Sequence, residues 1–119
     1  MNGADRPGDG LTPNEATGGP LDEGSASGAM VISRVVTIPN KRGLHARAAA
    51  KFVVMAERFG AQVDVVKDGQ VVSARSIMGL MMLGAGQGTP IELRAEGWDA
   101  KEALDALSAL VEAGFDEQG

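Results

Sequence analysis

The sequence predicts an α+β domain in which a four-stranded antiparallel sheet carries three helices on one face, in the order β-α-β-β-α-β-α. Three observations predict this fold. Each long helix has a single apolar stripe, the last strand alternates between apolar and polar residues, and an Asp-Gly dipeptide joins two short strands as a hairpin. A single apolar face on each element is typical of two packed layers, and both the hairpin and the alternation favour antiparallel pairing.

The predicted elements are bounded by turn and capping residues. In chain order they are strand 31–38, helix 46–59, strands 61–67 and 70–74, helix 76–83, strand 91–96 and helix 100–113. The first strand is rich in β-branched residues and stops at Pro39–Asn40, which is a turn signal. At 100° per residue, one face of the first helix is apolar, and Gly60 is expected to end that helix.

The second half of the domain follows the same logic. Asp68–Gly69 predicts the hairpin turn, and Ser76 is the expected N-cap of a short apolar helix that Gly84 terminates. Asp99 and Glu102 have the spacing of a capping box at the start of the last helix. Both of these helices therefore have a start signal.

The folded part is expected to begin at residue 30. Residues 1–29 contain 7 of the 17 glycines, 3 of the 5 prolines and five acidic residues against one basic residue, with no Val, Ile, Phe or Trp. Such a segment cannot bury enough apolar area to offset its chain entropy. We therefore expect a disordered tail over 1–29, typical of a solvated extension or of a functional start at Met30, and a folded domain over 30–119. A regulatory role for the tail is the alternative.

Composition excludes several classes of function. The chain has no Cys and one His, so disulfides, zinc–thiolate sites and sites with two imidazoles are excluded, and no metal or cofactor is expected. Residues 30–119 carry a net charge of −1, which does not favour nucleic acid as a partner. No apolar run reaches the ~18–20 residues of a membrane span, and the start lacks the features of a secretory signal. We expect a cytoplasmic monomer.

The candidate site is His45, at the junction between a glycine-containing loop and the first helix. The first N–H groups of a helix have no intrahelical partner and carry the positive end of its dipole, so they stabilise an anion and disfavour a cation. A neutral imidazole there is a nucleophile, and a phosphoryl group attached to it would meet free N–H donors and the guanidinium of Arg47. From spacing alone, a histidine that merely caps the helix or fills a surface gap is the more common interpretation.

A family resemblance distinguishes between these interpretations. Gly43–Leu44–His45–Ala46–Arg47 resembles the active-site motif of HPr, the histidine-containing phosphocarrier of the bacterial phosphotransferase system. Ser76–Ile77–Met78–Gly79–Leu80 is similar to the second site of that family, and the resemblance extends over about residues 31–114. It implies an HPr-like open-faced sandwich that is a phosphoryl carrier and not an enzyme.

The resemblance also implies roles for individual residues. His45 would accept a phosphoryl group on Nδ1 from enzyme I, which takes it from phosphoenolpyruvate, and would pass it to an enzyme IIA. Arg47 would stabilise the phosphate. Ser76 would match the serine that an HPr kinase/phosphorylase modifies for regulation, although a capping hydroxyl is the ordinary role of Ser at a helix start.

Two features of the sequence differ from the sugar-transport members of the family. Ala48 replaces the proline of sugar-transport members, which leaves one more N–H donor in the first turn. The apolar second helix and the ending Ala113–Glu117 are similar to the nitrogen-branch variant, NPr, whose enzyme IIA is regulatory. The residues expected to dock partners are Ala46, Lys51, Met78, Met81 and Met82. The alternative function is an allosteric regulatory module of the same fold that acts through Ser76 without phosphotransfer.

Overall fold

The computed structural model describes residues 30–117; the predicted disordered tail, residues 1–29, lies outside the described residues. The elements are β1 (Val31–Thr37), α1 (Ala46–Ala56), β2 (Gln62–Lys67), β3 (Gln70–Ser73), α2 (Ile77–Met82), β4 (Pro90–Glu96) and α3 (Ala100–Glu112), followed by a short 3₁₀ turn, Gly114–Asp116. Within 30–117, no helix has the length and apolar character needed to cross a membrane.

The four strands form one antiparallel sheet in the order β1-β4-β2-β3. The central strand β4 pairs with β1 from Val31↔Glu96 to Thr37↔Pro90, and with β2 from Gln62↔Glu96 to Val66↔Glu92. Apolar side chains of β4 point to the helices and charged ones to the open face, because successive residues of a strand alternate between faces. The predicted sheet, with one covered face, is confirmed.

The core lies between this sheet and the helices. Its largest fully buried side chains come from the helices, the strands, the residue after β1 and the C-terminal turn. They are Phe52, Phe115, Ile38, Leu80, Ile91, Leu93, Leu104, Leu107, Val65 and Val111. The predicted apolar stripe of α1 is buried as well, namely Ala49, Phe52, Val53 and Ala56. With few aromatics, the core relies on aliphatic packing, and Phe115 brings the C-terminal turn into it.

The end of the first helix was predicted too late. α1 ends at Ala56, three residues before the predicted Phe59, whereas all other element boundaries agree to within one residue. The N–H groups of Arg58 and Phe59 bond three residues back, to the carbonyls of Met55 and Ala56, which is a tighter turn than an α-helix. Gly60 does not terminate the helix; instead it leaves room for the indole of Trp98, which a Cβ at residue 60 would contact at 2.9 Å.

The predicted capping box at α3 is wrong. Asp99 is the N-cap residue, but its side chain makes no capping hydrogen bond. Its carboxylate instead accepts hydrogen bonds from the backbone N–H groups of Gly60 (2.8 Å) and Ala61 (2.7 Å), in the connection between α1 and β2. These long-range donors take the carboxylate oxygens away from the helix, so Asp99 joins two distant segments of the chain.

Candidate functional site

The loop that leads into α1 has a fixed conformation. Gly43 has φ +66°, a left-handed value that glycine adopts without strain, and a Cβ at this position would collide with the backbone of Ala85 and Gly86. The N–H of Leu44 donates to the carbonyl of Ala85 at 2.9 Å. The loop after α2 therefore holds the loop before α1, and this contact determines where His45 lies.

His45 is the N-cap residue of α1. Its backbone is extended, with φ −77° and ψ −178°, and its carbonyl accepts the first helical hydrogen bond, from the N–H of Ala49 at 2.8 Å. The side chain makes no capping hydrogen bond. The first-turn N–H groups, of Ala46, Arg47 and Ala48, consequently have no acceptor among residues 30–117. This end of the helix therefore offers unpaired N–H donors next to His45, whereas a role of His45 as a side-chain cap does not fit the geometry.

The imidazole of His45 is oriented by a carboxylate from the C-terminal end of the chain. Its Nε2 hydrogen-bonds to Oε2 of Glu117, and both side chains are 15% exposed. The other oxygen of Glu117 accepts a hydrogen bond from Nδ2 of Asn40 at 3.0 Å. A carboxylate only accepts, so Nε2 carries the hydrogen and Nδ1 of the neutral ring keeps its lone pair.

These contacts also affect the charge of Glu117. The pKa of the Glu117 carboxyl lies below its ordinary value. The largest cause is the hydrogen bond from His45, and the second is the hydrogen bond from Asn40. Loss of hydration raises the pKa, but it is outweighed. The carboxylate form is therefore the one that the site favours.

The segment that carries Glu117 is anchored at two points. The ring of Phe115 is fully buried in the core, and the Phe115 carbonyl accepts a hydrogen bond from Nζ of Lys51 at 2.8 Å. Gly114, Phe115 and Asp116 all have φ near +60°, which turns the chain back after α3. Lys51, predicted as a docking residue, thus also holds this segment against α1.

The other predicted residues of α1 are accessible. Ala46 and Arg47 are exposed in the first turn, and the guanidinium of Arg47 has no hydrogen-bond partner within the described part of the chain. Ala48, by contrast, is fully buried. The first turn of α1 therefore presents an exposed cation two residues after His45.

The second helix, α2, begins with a serine cap and exposes three methionines. Oγ of Ser76 accepts a hydrogen bond from the N–H of Gly79 at 2.9 Å, so the predicted N-cap is confirmed. Met78, Met81 and Met82 are 72%, 44% and 74% exposed, and only Leu80 within the helix is buried. The three methionines are therefore surface residues rather than core residues. They form an exposed apolar patch, a feature typical of interaction sites.

Removing the hydroxyl of Ser76 is expected to destabilise the domain. Ser76→Ala leaves the Gly79 N–H without its acceptor, and the loss of such a cap costs about 1 kcal/mol. Ser76→Asp is the control, because aspartate is an equally good N-cap. Urea denaturation measures both variants; a Ser76→Ala variant as stable as the wild type would contradict the role of the cap.

Comparison with known proteins identifies the family. The sequence profile described as PTS HPr component phosphorylation site matches residues 32–113. The chain belongs to the HPr family. It is 50% identical over 86 residues to phosphocarrier protein NPr of Shewanella violacea, a match that covers 72% of this chain and 94% of the relative. It is 48% identical over 87 residues to phosphocarrier protein HPr of Cupriavidus necator, covering 73% and 98%.

Solved structures of HPr proteins share the fold. The crystal structure of an HPr from Thermoanaerobacter tengcongensis superposes with a TM-score of 0.71 at 48% identity, covering 74% of this chain and 99% of that protein. Crh from Bacillus subtilis, crystallised as a dimer with a swapped domain, gives 0.58 at 48% identity, covering 66% and 91%. The HPr-like open-faced sandwich is confirmed. As an HPr-family member, the protein is a phosphocarrier of the phosphotransferase system and not a catalytic enzyme.

Proposed function

We propose that His45 is the residue that carries the phosphoryl group. It receives the group on Nδ1 from enzyme I, which takes it from phosphoenolpyruvate, and passes it to an enzyme IIA in the cytoplasm. The observation that carries this proposal is the position of His45 at the N-cap, beside first-turn N–H groups that have no acceptor within residues 30–117. Those donors and the positive end of the dipole suit the negative oxygens of a phosphoryl group.

Mass spectrometry tests the proposal directly. The full chain, incubated with enzyme I and phosphoenolpyruvate, is expected to gain the mass of one phosphoryl group and to lose it in acid, since phosphorus–nitrogen bonds are acid-labile. The second candidate function, regulation through Ser76 without phosphotransfer, predicts an unchanged mass under conditions that load a control HPr. Such a result would overturn the proposal.

Arg47 is proposed to stabilise the transferred group. Its exposed guanidinium follows His45 by two residues and offers paired N–H donors that fit a phosphate. Arg47→Ala is expected to slow phosphoryl acceptance by about tenfold to a hundredfold, while the free energy of unfolding changes by less than about 0.5 kcal/mol. Stopped-flow or quench-flow kinetics with phosphorylated enzyme I measure the rate.

Arg58→Ala is the matched control for Arg47→Ala. Arg58 is also exposed and lies just beyond the other end of α1, about 16 Å along the axis at 1.5 Å per residue. Its variant is expected to transfer at the wild-type rate. Equal rates for Arg47→Ala and the wild type would refute the assigned role, and an equal loss in both variants would indicate a general effect of positive charge.

The proposed docking surface for partners is the exposed methionine patch of α2 together with two residues of α1. It comprises Met78, Met81, Met82, Ala46 and Lys51. The methionine side chains are exposed, and covering their apolar surface with a partner lowers the free energy of the complex. The nitrogen-type enzyme IIA is the proposed acceptor, supported by the likeness to the NPr of Shewanella violacea. Competition between nitrogen-type and sugar-type enzymes IIA for the labelled phosphoryl group tests this choice.

Two further proposals concern regulation and assembly. Ser76 is proposed as a site for an HPr kinase/phosphorylase; a phosphate there would lie at the N-terminus of α2, where negative charge is stabilised. The chain is proposed to act as a monomer, and light scattering distinguishes this from a swapped dimer such as that of Crh.

A further inference from the structure

We infer that Glu117 is a positioning residue for phosphoryl transfer: its carboxylate holds the His45 ring with the hydrogen on Nε2 and balances the positive charge that the ring gains at Nδ1. This inference rests on the proposed function of His45. The contact joins residues 72 positions apart, so local spacing along the chain does not include it.

The arrangement around Glu117 is built rather than incidental. One carboxylate oxygen binds Nε2 of His45, and the other accepts from Nδ2 of Asn40, which also donates to the carbonyl of Gly43 at 2.9 Å. Both partners of this amide nitrogen are acceptors, which settles the orientation of the Asn40 amide. Buried Phe115 and the Lys51 contact fix the segment from the other side. The Glu117 carboxylate is thus held by Asn40 on one side, and the segment that carries it is held by Phe115 and Lys51 on the other.

The transfer step explains why a carboxylate on Nε2 is useful. The Nδ1 lone pair forms a bond to phosphorus while the bond from phosphorus to the carrier atom of phosphorylated enzyme I breaks, and its electron pair leaves with that atom. No proton moves on this protein, because Nε2 keeps its hydrogen. The His45 ring becomes a phosphorylated imidazolium, whose positive charge faces Glu117. In the donation step, a nucleophilic atom of the acceptor protein forms a bond to phosphorus with its own electron pair. The His45 ring leaves with the phosphorus–nitrogen electron pair and returns to its neutral form with the hydrogen on Nε2.

The role resembles that of a carboxylate which orients a catalytic histidine by accepting from one ring nitrogen while the other reacts. Removing the charge of Glu117 is therefore expected to slow transfer in both directions. We expect Glu117→Gln to lower kcat/KM for phosphoryl acceptance about tenfold, less than for a fully buried carboxylate, because this one is partly accessible.

Asp116→Asn is the matched control. Asp116 is the adjacent acid, is exposed and makes no contact with His45 in the described residues, and asparagine tolerates its φ of +60°. The variant removes the same unit of charge one residue away. It is expected to accept the phosphoryl group within about twofold of the wild-type rate.

A pH profile separates the electrostatic role from a structural one. The pKa of Glu117 is lowered, so its carboxylate stays ionised above that value and is protonated as the pH falls through it. The ratio of wild-type to Glu117→Gln rates is therefore expected to exceed one near neutral pH and to approach one in acid. A ratio that does not change with pH would overturn the charge-balancing role.

The ring tautomer is measured without any phosphoryl donor. Because His45 is the only histidine, its ring ¹⁵N signals are unambiguous in the full chain. With the ring neutral, we expect the hydrogen on Nε2 alone in the wild type and in Asp116→Asn, and a mixture of tautomers in Glu117→Ala. Identical tautomer ratios in all three proteins would overturn the inference, as would a Glu117→Gln variant that accepts the group as fast as or faster than the wild type. If the wild type takes up no phosphoryl group, the proposed function fails, while the tautomer ratio still decides whether Glu117 orients the ring.

Discussion

His45→Ala is expected to take up no acid-labile phosphoryl group, a loss of at least about a thousandfold in the rate of acceptance. The chain has one histidine and no cysteine, so no second imidazole or thiolate can replace the missing nucleophile. Arg47, Glu117 and the first-turn N–H groups remain in this variant, but none of them supplies a nucleophilic ring nitrogen. Intact-mass measurement after incubation with enzyme I and phosphoenolpyruvate gives the result.

His45→Gln serves as the control for folding. Glutamine is polar and can still bond to the Glu117 carboxylate through its side-chain N–H, so the contact with the C-terminal segment is retained without a ring nitrogen. Both variants are expected to unfold within a few degrees of the wild type, because the replaced side chain lies outside the hydrophobic core. An acid-labile phosphoryl group on either folded variant would place the acceptor elsewhere and contradict the assignment.

Much of the fold could be predicted because its signals are local. The alternation in β4, the apolar stripe of α1 and the turn at Asp68–Gly69 each depend on residues that are near in sequence, and each is found as expected. The cap at Ser76 is equally local, since its partner is three residues away. The position of His45 at the N-cap follows from the same kind of signal.

The parts that could not be predicted depend on contacts between distant residues. Glu117 reaches His45 only because Phe115 is buried and three successive residues turn the chain back, which no spacing along the sequence encodes. Asn40 was interpreted only as a turn residue, although it bonds to the same carboxylate. An acid near a chain end is ordinarily solvated, so Glu117 itself gives no signal. The available sequence signal is the presence of Phe115 two residues earlier, since an aromatic side chain in a sequence with few of them favours burial.

Asp99 shows how a valid local signal can give a wrong contact. An Asp at a helix start, with Glu102 three residues on, is typical of a capping box. The backbone N–H groups of Gly60 and Ala61, which are 39 and 38 residues away, donate to the two oxygens of the same carboxylate. Two charge-assisted hydrogen bonds are stronger than one local cap, which is why the tertiary contact prevails.

Asp99→Ala is expected to destabilise the domain by about 3 kcal/mol, the largest effect on stability among the variants considered. Asp99 is 5% exposed, and its removal leaves two backbone N–H groups without acceptors, one of them in a buried position. For a domain of this size, a loss of 3 kcal/mol lowers Tm by roughly 10–20 °C. Thermal unfolding followed by circular dichroism measures the change.

Asp99→Ser distinguishes the long-range contact from a cap. Serine is a good N-cap, but its shorter side chain cannot span to Gly60 and Ala61 with two oxygens, so this variant is expected to be nearly as unstable as Asp99→Ala. If Asp99→Ser restored wild-type stability, the carboxylate would be acting as a cap after all. Asp105→Ala, an exposed acid of the same helix, is the control and is expected to change Tm little. Asp99, at the N-cap of α3, contacts the connection between α1 and β2, which lies beyond the end of α1 opposite to His45. Folded Asp99→Ala should therefore still accept phosphoryl groups at the wild-type rate well below its Tm.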